Sequence, residues 1–313
     1  MSTDTTPKAA GKLEGAAGDD SPAPAARVGR VAAWTFLIFI IVISIFPFYW
    51  ALRTGLSNNG VLLSGDGSFL PPDASLINFQ RVLGLLSAEE AAEFRGTGSF
   101  DFGRALRNSI IIATCVTFFQ VAFSAMAAYA FARLKFTGRD KLFNLYLAGL
   151  MVPPIFVLIP NVILIRDLNL LNTLPGVMAP FLLMTPFAVF FLRQFFLGIN
   201  RSIEEAALLD GAGHGRTFFE IILPMAAPQI TTLAVLTYVQ SWNEYLWPLV
   251  VAGDPEVQPL TVALGVFTTQ QPGTSPDWSA LMAATLLAAL PVLILFAFTA
   301  RRLVDSIQFS GIK

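Results

Sequence analysis

The sequence lacks most of what chemistry at a fixed site requires. Its 313 residues include one cysteine, Cys115, and one histidine, His214. A single thiol excludes an internal disulfide. The two together cannot supply a Cys/His zinc site, so a metal would have to rest on carboxylates alone. No GxxxxGK[ST] phosphate loop occurs, and the "GK" of Gly11 and Lys12 is followed by Leu13. Work driven by ATP would therefore need the nucleotide on another polypeptide. No serine with a paired base, no HExxH and no carboxylate pair falls inside an apolar run, which argues against an intramembrane enzyme. Charge is scarce as well. Only 13% of residues are Asp, Glu, Lys or Arg and the net charge is −1, so neither a nucleic-acid footprint nor a polybasic patch stands out.

What is abundant is hydrocarbon. Hydrophobic residues make up 55% of the chain, 28 of them Phe, and the mean hydropathy is +0.64. That composition belongs to a membrane protein. Residues 1–30 are the exception, rich in Ala, Gly, Asp and Pro, and cannot offset the entropy of ordering, which predicts a disordered tail. Residues 31–52 then form an apolar run behind Arg27 and Arg30. It is longer than the core of a cleaved leader and has no small-residue cleavage pattern after it, so a retained first span is expected. A connection over 53–106 follows.

Five more runs, near 107–132, 141–165, 176–198, 222–251 and 279–300, are each long enough for a hydrocarbon core of about 30 Å, which takes about 20 residues. Prolines interrupt them, among them Pro153, Pro154, Pro160, Pro180, Pro186, Pro248 and Pro291. Packed membrane helices can re-satisfy the carbonyls that proline frees, so kinked helices are expected. The sequence thus reads as an all-α membrane protein with six transmembrane helices and a short tail over 301–313.

Loop charge orients it. Arg133, Lys135, Arg139 and Lys141 cluster between the second and third spans, Arg201 and Arg216 lie between the fourth and fifth, and Arg301 and Arg302 follow the sixth. The connection after the third span offers only Arg166, and 252–278 offers none. Both termini, and the interval around residue 205, are expected in the cytosol. The connection over 53–106 fits less well, since it carries Arg53, Arg81, Arg95 and Arg104 and is followed at once by Arg107, at low density. An ion-coupled secondary transporter would show ionisable groups deep in the spans and a repeat between halves, and neither is apparent.

The interval 204–228, "EEAALLDGAGHGRTFFEIILPMAAP", is polar and glycine-rich in a chain that is otherwise mostly apolar. Ser202 and Glu205 have the spacing of a capping box, which predicts a helix from Ile203 to about Asp210 that ends on a left-handed Gly211. Thr217 and Glu220 repeat the spacing and predict a second helix start. So short a helix must be held by packing. Its small residues suit either a groove in a partner or packing against the chain's own bundle, and helix physics alone leaves both open.

A resemblance bears on that choice. Glu205, Ala206, Ala207, Asp210, Gly211, Ala212, Phe218, Ile221, Leu223, Pro224 and Pro228 resemble the EAA motif of the permease subunits of bacterial ABC importers. Further stretches, "RNSIIIA" from Arg107, "AAYAFARLKFTGRDKLF" from Ala127, "WNEYLWPL" from Trp242 and the terminal "FSGIK", are similar to the smaller permease of maltose-type carbohydrate importers. The likeness runs from about residue 31 to the end. A longer tail and an apparent insertion over 87–101 are the departures.

The resemblance implies a type I ABC importer permease fold in the bacterial inner membrane, with a cytosolic coupling helix between helices 4 and 5, inside the segment 200–218. It implies docking on an ATPase through Glu205, Ala206, Ala207, Asp210, Gly211 and Ala212. The partners it implies are a second permease subunit, two ATPase subunits that hold ATP and magnesium, and an extracytoplasmic sugar-binding protein. No cofactor is expected on this chain.

Trp242, Asn243 and Glu244 near the outer end of the fifth span read either as path or subunit-contact residues or as an interfacial belt. Asn161 reads as a hydrogen bond between helices or as a path residue. His214 reads as an exposed loop residue and Cys115 as a small packing residue.

Overall fold

Long apolar runs of aliphatic and aromatic residues, nearly free of charge, leave the backbone no partner but itself in lipid, and the chain answers with helices throughout. The computed structural model describes residues 24–65, 67–87, 90, 100–265 and 276–308. By contact the chain divides into two units, Met1–Tyr49 and Trp50–Lys313. The first is described from Pro24, where helix α1 (Pro24–Leu56) begins. The helix therefore takes in residues 24–30, which composition assigns to the disordered tail. Residues 1–23 lie outside the described residues.

The second unit is built around α4 (Phe102–Arg133). Before it come the short helices α2 (Asn59–Leu63) and α3 (Ile77–Val82). After it the chain makes α5 (Arg139–Ala148), α6 (Pro154–Asp167), α7 (Leu174–Met178) and α8 (Pro186–Gly198). Then follow α9 (Arg201–Leu209), α10 (His214–Thr217), α11 (Leu223–Met225), α12 (Ala227–Trp242), α13 (Leu246–Val251), α14 (Leu260–Ala263) and α15 (Trp278–Gln308). The last helix runs through residues 301–308, which the sequence reading assigns to the tail.

Among the described residues, three helices are individually long and apolar enough to span: Gly29–Leu56, Phe102–Arg133 and Trp278–Thr299. Three further spans are bent pairs, Arg139–Met151 with Pro154–Asp167 at 97°, Leu174–Phe181 with Pro186–Gly198 at 49°, and His214–Met225 with Ala227–Trp242 at 78°. With each bent pair counted as one span, the total reaches the six expected. Pro153, Pro186 and Pro228 lie at or just past the three breaks, where a missing N–H frees a carbonyl and a helix is easiest to restart. Pro160 and Pro291, by contrast, are carried inside helices.

The core wraps α4. Toward its C-terminal end, Val121, Ala125, Ala128 and Tyr129 pack with Leu192 and Phe196 of α8, with Phe218 and Ile222, and with Leu233 of α12. Toward its N-terminal end, Phe102, Ala105 and Ala113 pack with Trp242, Leu260 and the alanines Ala280, Ala283 and Ala284 of α15. Small residues there bring backbones together. A Cβ on Gly55 would lie 3.1 Å from the Ala283 nitrogen.

Several polar groups buried at that end are paired, although Asn108 Oδ1 and Ser279 Oγ have no hydrogen-bond partner. Asn78 donates to the Gly55 and Ser57 carbonyls at 2.9 and 3.0 Å. Arg81 meets Asp277 at 2.5 Å. Asn108 donates to the Glu256 and Gln258 carbonyls at 2.9 and 3.1 Å. Residues 91–99 of the apparent insertion and 266–275 of the connection before α15 lie outside the described residues.

Candidate functional site

The polar interval folds as a short helix at the end of the bundle where α4 terminates. After α8 the chain is extended at Ile199 and Asn200, and α9 starts at Arg201. The Asn200 side-chain oxygen accepts the Ser202 N–H at 3.1 Å. Asn200 is thus the cap, and the expected Ser202–Glu205 capping box does not form. Asn caps a helix as well as Ser does, and a start two residues earlier places Ser202 inside the first turn.

The other end of α9 closes as the glycine predicts. Gly211 has φ +82°, the Gly211 N–H reaches the Leu208 carbonyl at 3.1 Å, and the Ala212 N–H reaches the Ala207 carbonyl at 2.9 Å. These are the two bonds of a Schellman motif.

The two faces of α9 differ in chemistry. Ala207 is buried, at 7% exposure, against the chain's own bundle, and Ile203 and Glu204 are half-buried on the same side. Glu205, Ala206, Asp210 and Gly211 are exposed, and Ala212 is half-buried. Leu208 and Leu209 are exposed too, at 48% and 89%. Residues 205, 208 and 209 are i, i+3 and i+4, so a carboxylate and two bare leucines share one outward face. Two leucines are thus left uncovered beside the motif at the end of the bundle. Neither leucine stands out in the sequence, although the helical repeat from Glu205 gives their direction.

Glu204 turns inward. Its Oε1 lies 2.9 Å from Nε of Arg133, the last residue of α4, with side-chain exposures of 15% and 3%. Neither of those two atoms has a hydrogen-bond partner, so the contact is Coulombic and not an aligned bond. The same guanidinium donates through Nη2 to the Phe196 carbonyl and, at 2.6 Å, to the Ile199 carbonyl. A cation therefore closes the C-terminal end of α8, where the helix dipole is negative, and holds the start of α9 as well. One side chain joins α4, α8 and α9. In the sequence Arg133 stands out only as one of the loop charges.

Beyond Gly213 the second expected helix start is also displaced. Thr217 lies inside α10 and is buried, and its hydroxyl donates to the Gly213 carbonyl at 3.1 Å. Glu220 accepts from Arg216 Nε at 2.7 Å. Thr217 does not cap, because its backbone is already helical at φ −56° and ψ −42° and its N–H bonds the Gly213 carbonyl within α10. Phe218–Ile222 is a π-helical turn, after which Leu223–Met225 leads to the bend at Ala226. Pro224 and Pro228 lack the N–H groups that regular i to i−4 pairing would use here. Phe218 packs on Tyr129 at 5.0 Å between ring centroids, and Tyr129 meets Phe196 at 6.5 Å. His214 is exposed.

The remaining candidates are dispersed. Trp242 is buried and stacks on Tyr238 at 5.9 Å. Asn243 is exposed and donates to the Val239 carbonyl of its own turn at 2.8 Å. Glu244 accepts the Trp247 N–H at 3.2 Å and so caps α13, and its carbonyl accepts from the Thr261 hydroxyl at 2.8 Å. The "WNEY" sequence is a joint between α12 and α13. Asn161 is half-buried, and the expected bond between helices is not among those its side chain makes to described residues of this chain.

Residues 120–308 match the family model described as binding-protein-dependent transport system inner membrane component. The chain belongs to that family. The permease is 30% identical over 282 residues to the diacetylchitobiose uptake system permease protein of Streptomyces coelicolor, covering 89% of this chain and 88% of that one. It is also 30% identical over 296 residues to the arabinooligosaccharides transport system permease protein of Halalkalibacterium halodurans, covering 92% and 99%. Its fold matches a chain in the crystal structure of a bacterial ABC transporter involved in the import of the acidic polysaccharide alginate, with a TM-score of 0.74 at 21% identity over 90% of this chain and 98% of that one. The permease thus has the ABC importer permease fold and is a transport subunit of the inner membrane.

Proposed function

We propose that this permease is the smaller membrane subunit of an ATP-driven importer that takes up a di- or oligosaccharide. An extracytoplasmic binding protein delivers the sugar, and a second permease completes the path. In this reading α9 is the coupling helix. It lies in the cytosol together with both termini and docks on an ATPase subunit, which holds ATP and its magnesium. Asn161, Trp242, Asn243 and Glu244 are the candidates for path or subunit-contact residues.

The observation that supports the reading best is the two-sided α9. Glu205, Ala206, Leu208 and Leu209 are turned outward, while Glu204 is anchored inward on Arg133. A helix so anchored moves with the spans it is tied to, and a partner that grips its outer face can therefore bias two arrangements of the path. The oligosaccharide follows from the relatives, whose names specify diacetylchitobiose and arabinooligosaccharides.

Affinity purification of the tagged permease from its native membrane tests the assembly. An ATPase and a second permease are expected to co-purify, and uptake of a labelled oligosaccharide is expected to stop when the binding protein is removed. A permease that purifies alone and moves solute down an ion gradient would overturn the reading.

A further inference from the structure

The end of the bundle that carries α9 holds a second polar feature, beside the docking face. A cavity of about 640 Å³ opens between the α4–α5 connection and the first residue of α9, with Lys135, Thr137, Arg139, Asp140, Lys141 and Arg201 in its lining. Four cations face one carboxylate, and that carboxylate is already engaged. Asp140 pairs with Arg139 at 2.9 Å and lies 4.0 Å from Arg193. Among the described residues no carboxylate is within ion-pair distance of Lys135, Lys141 or Arg201, and all three are exposed. An open cavity that keeps three uncompensated cations has the electrostatics of an anion site.

Its surroundings narrow the anion. Phe136, in the same lining, is 42% exposed. Leu142 and Leu145 on the first turns of α5 are also exposed, and Leu145 follows Lys141 by four residues on one helix face. The cations therefore lie where bare apolar surface of a membrane helix meets its polar connection. A soluble anion or an acidic protein side chain would need the charges but not the apolar flank.

We propose that this cavity binds the phosphodiester headgroup of an anionic phospholipid, with the acyl chains along Leu142 and Leu145. The site holds a lipid at the base of α9 and is independent of whether α9 docks on an ATPase.

The test uses the full-length permease purified from membranes with the subunits that accompany it. Phosphatidylglycerol and phosphatidylcholine are titrated against it, and bound lipid is counted by native mass spectrometry. One phosphatidylglycerol is expected to bind in preference to phosphatidylcholine. Each basic side chain near an anionic lipid is worth a factor of about five, so Lys141→Gln alone should weaken the preference about fivefold and Lys135→Gln/Lys141→Gln/Arg201→Gln about a hundredfold. The single variants decide the matter if the triple variant does not fold.

Equal binding of the two lipids would overturn the proposal, as would a preference that survives the substitutions. Displacement of the lipid by millimolar inorganic phosphate would assign the site to a soluble anion. Capture of a protein subunit, and not of lipid, by a photo-cross-linking residue at position 136 would assign it to a protein contact.

Discussion

Replacing Glu204 by Gln removes one charge from the Arg133 contact and leaves the shape of α9 almost unchanged. Arg133 is 3% exposed and keeps its bonds to the Phe196 and Ile199 carbonyls, so the variant leaves a buried guanidinium without its counter-charge. Breaking a buried pair in this way costs 3 to 5 kcal/mol in general. Because the contact is not an aligned hydrogen bond, the lower end applies, about 3 kcal/mol. The loss falls on the local stability of a nine-residue helix that cannot stand alone. Hydrogen exchange of the Arg201–Leu209 amides in the purified permease reads it directly, and about 3 kcal/mol corresponds to exchange more than a hundredfold faster. Arg133→Ala should be at least as severe, since it also uncovers two carbonyls. The double substitution should cost less than the sum of the two. Unchanged exchange in Glu204→Gln would refute the claim that this pair anchors the helix.

The caps of α9 predict smaller effects in the same assay. Asn200→Ala should cost about 1 kcal/mol at the Ser202 amide, and Gly211→Ala about 1 to 2 kcal/mol at the other end, because φ there is +82°. Away from α9, Gly176→Ala should lower the thermal stability of the purified protein by the upper range of overpacking, about 3 kcal/mol, since a Cβ would lie 2.0 Å from the Leu170 carbonyl oxygen. Gly198→Ala, which meets open space, should be nearly neutral; equal losses at the two glycines would contradict the close approach of Gly176 to the Leu170 carbonyl.

The spans were legible because lipid leaves an apolar run no alternative to a helix, and runs such as 107–132 and 279–300 correspond to α4 and α15. The angles were not. Prolines at 153, 186 and 228 announce weak points, but a bend of 97° or 78° is set by what packs on either side. At the candidate site, Gly211 was legible because only its backbone freedom suits the helix end. The cap was not, since Asn200 and Ser202 are both good caps and the choice fell to the extended chain leaving α8. Glu204 and Glu205 are identical in kind and adjacent. Which one turns inward depends on where the helix starts and on Arg133, a residue far off in sequence that no local pattern connects to it.

The central claim is that the outer face of α9 carries force between an ATPase and the sugar path. The most direct test is transport stoichiometry in proteoliposomes that hold the permease with its co-purified subunits and binding protein, with sugar uptake and ATP hydrolysis measured on the same sample. For Glu205→Ala, the account predicts an intact, membrane-inserted assembly whose hydrolysis persists while uptake per ATP falls at least tenfold, about 1.4 kcal/mol of lost coupling. Uptake per ATP equal to that of the unaltered protein would contradict it.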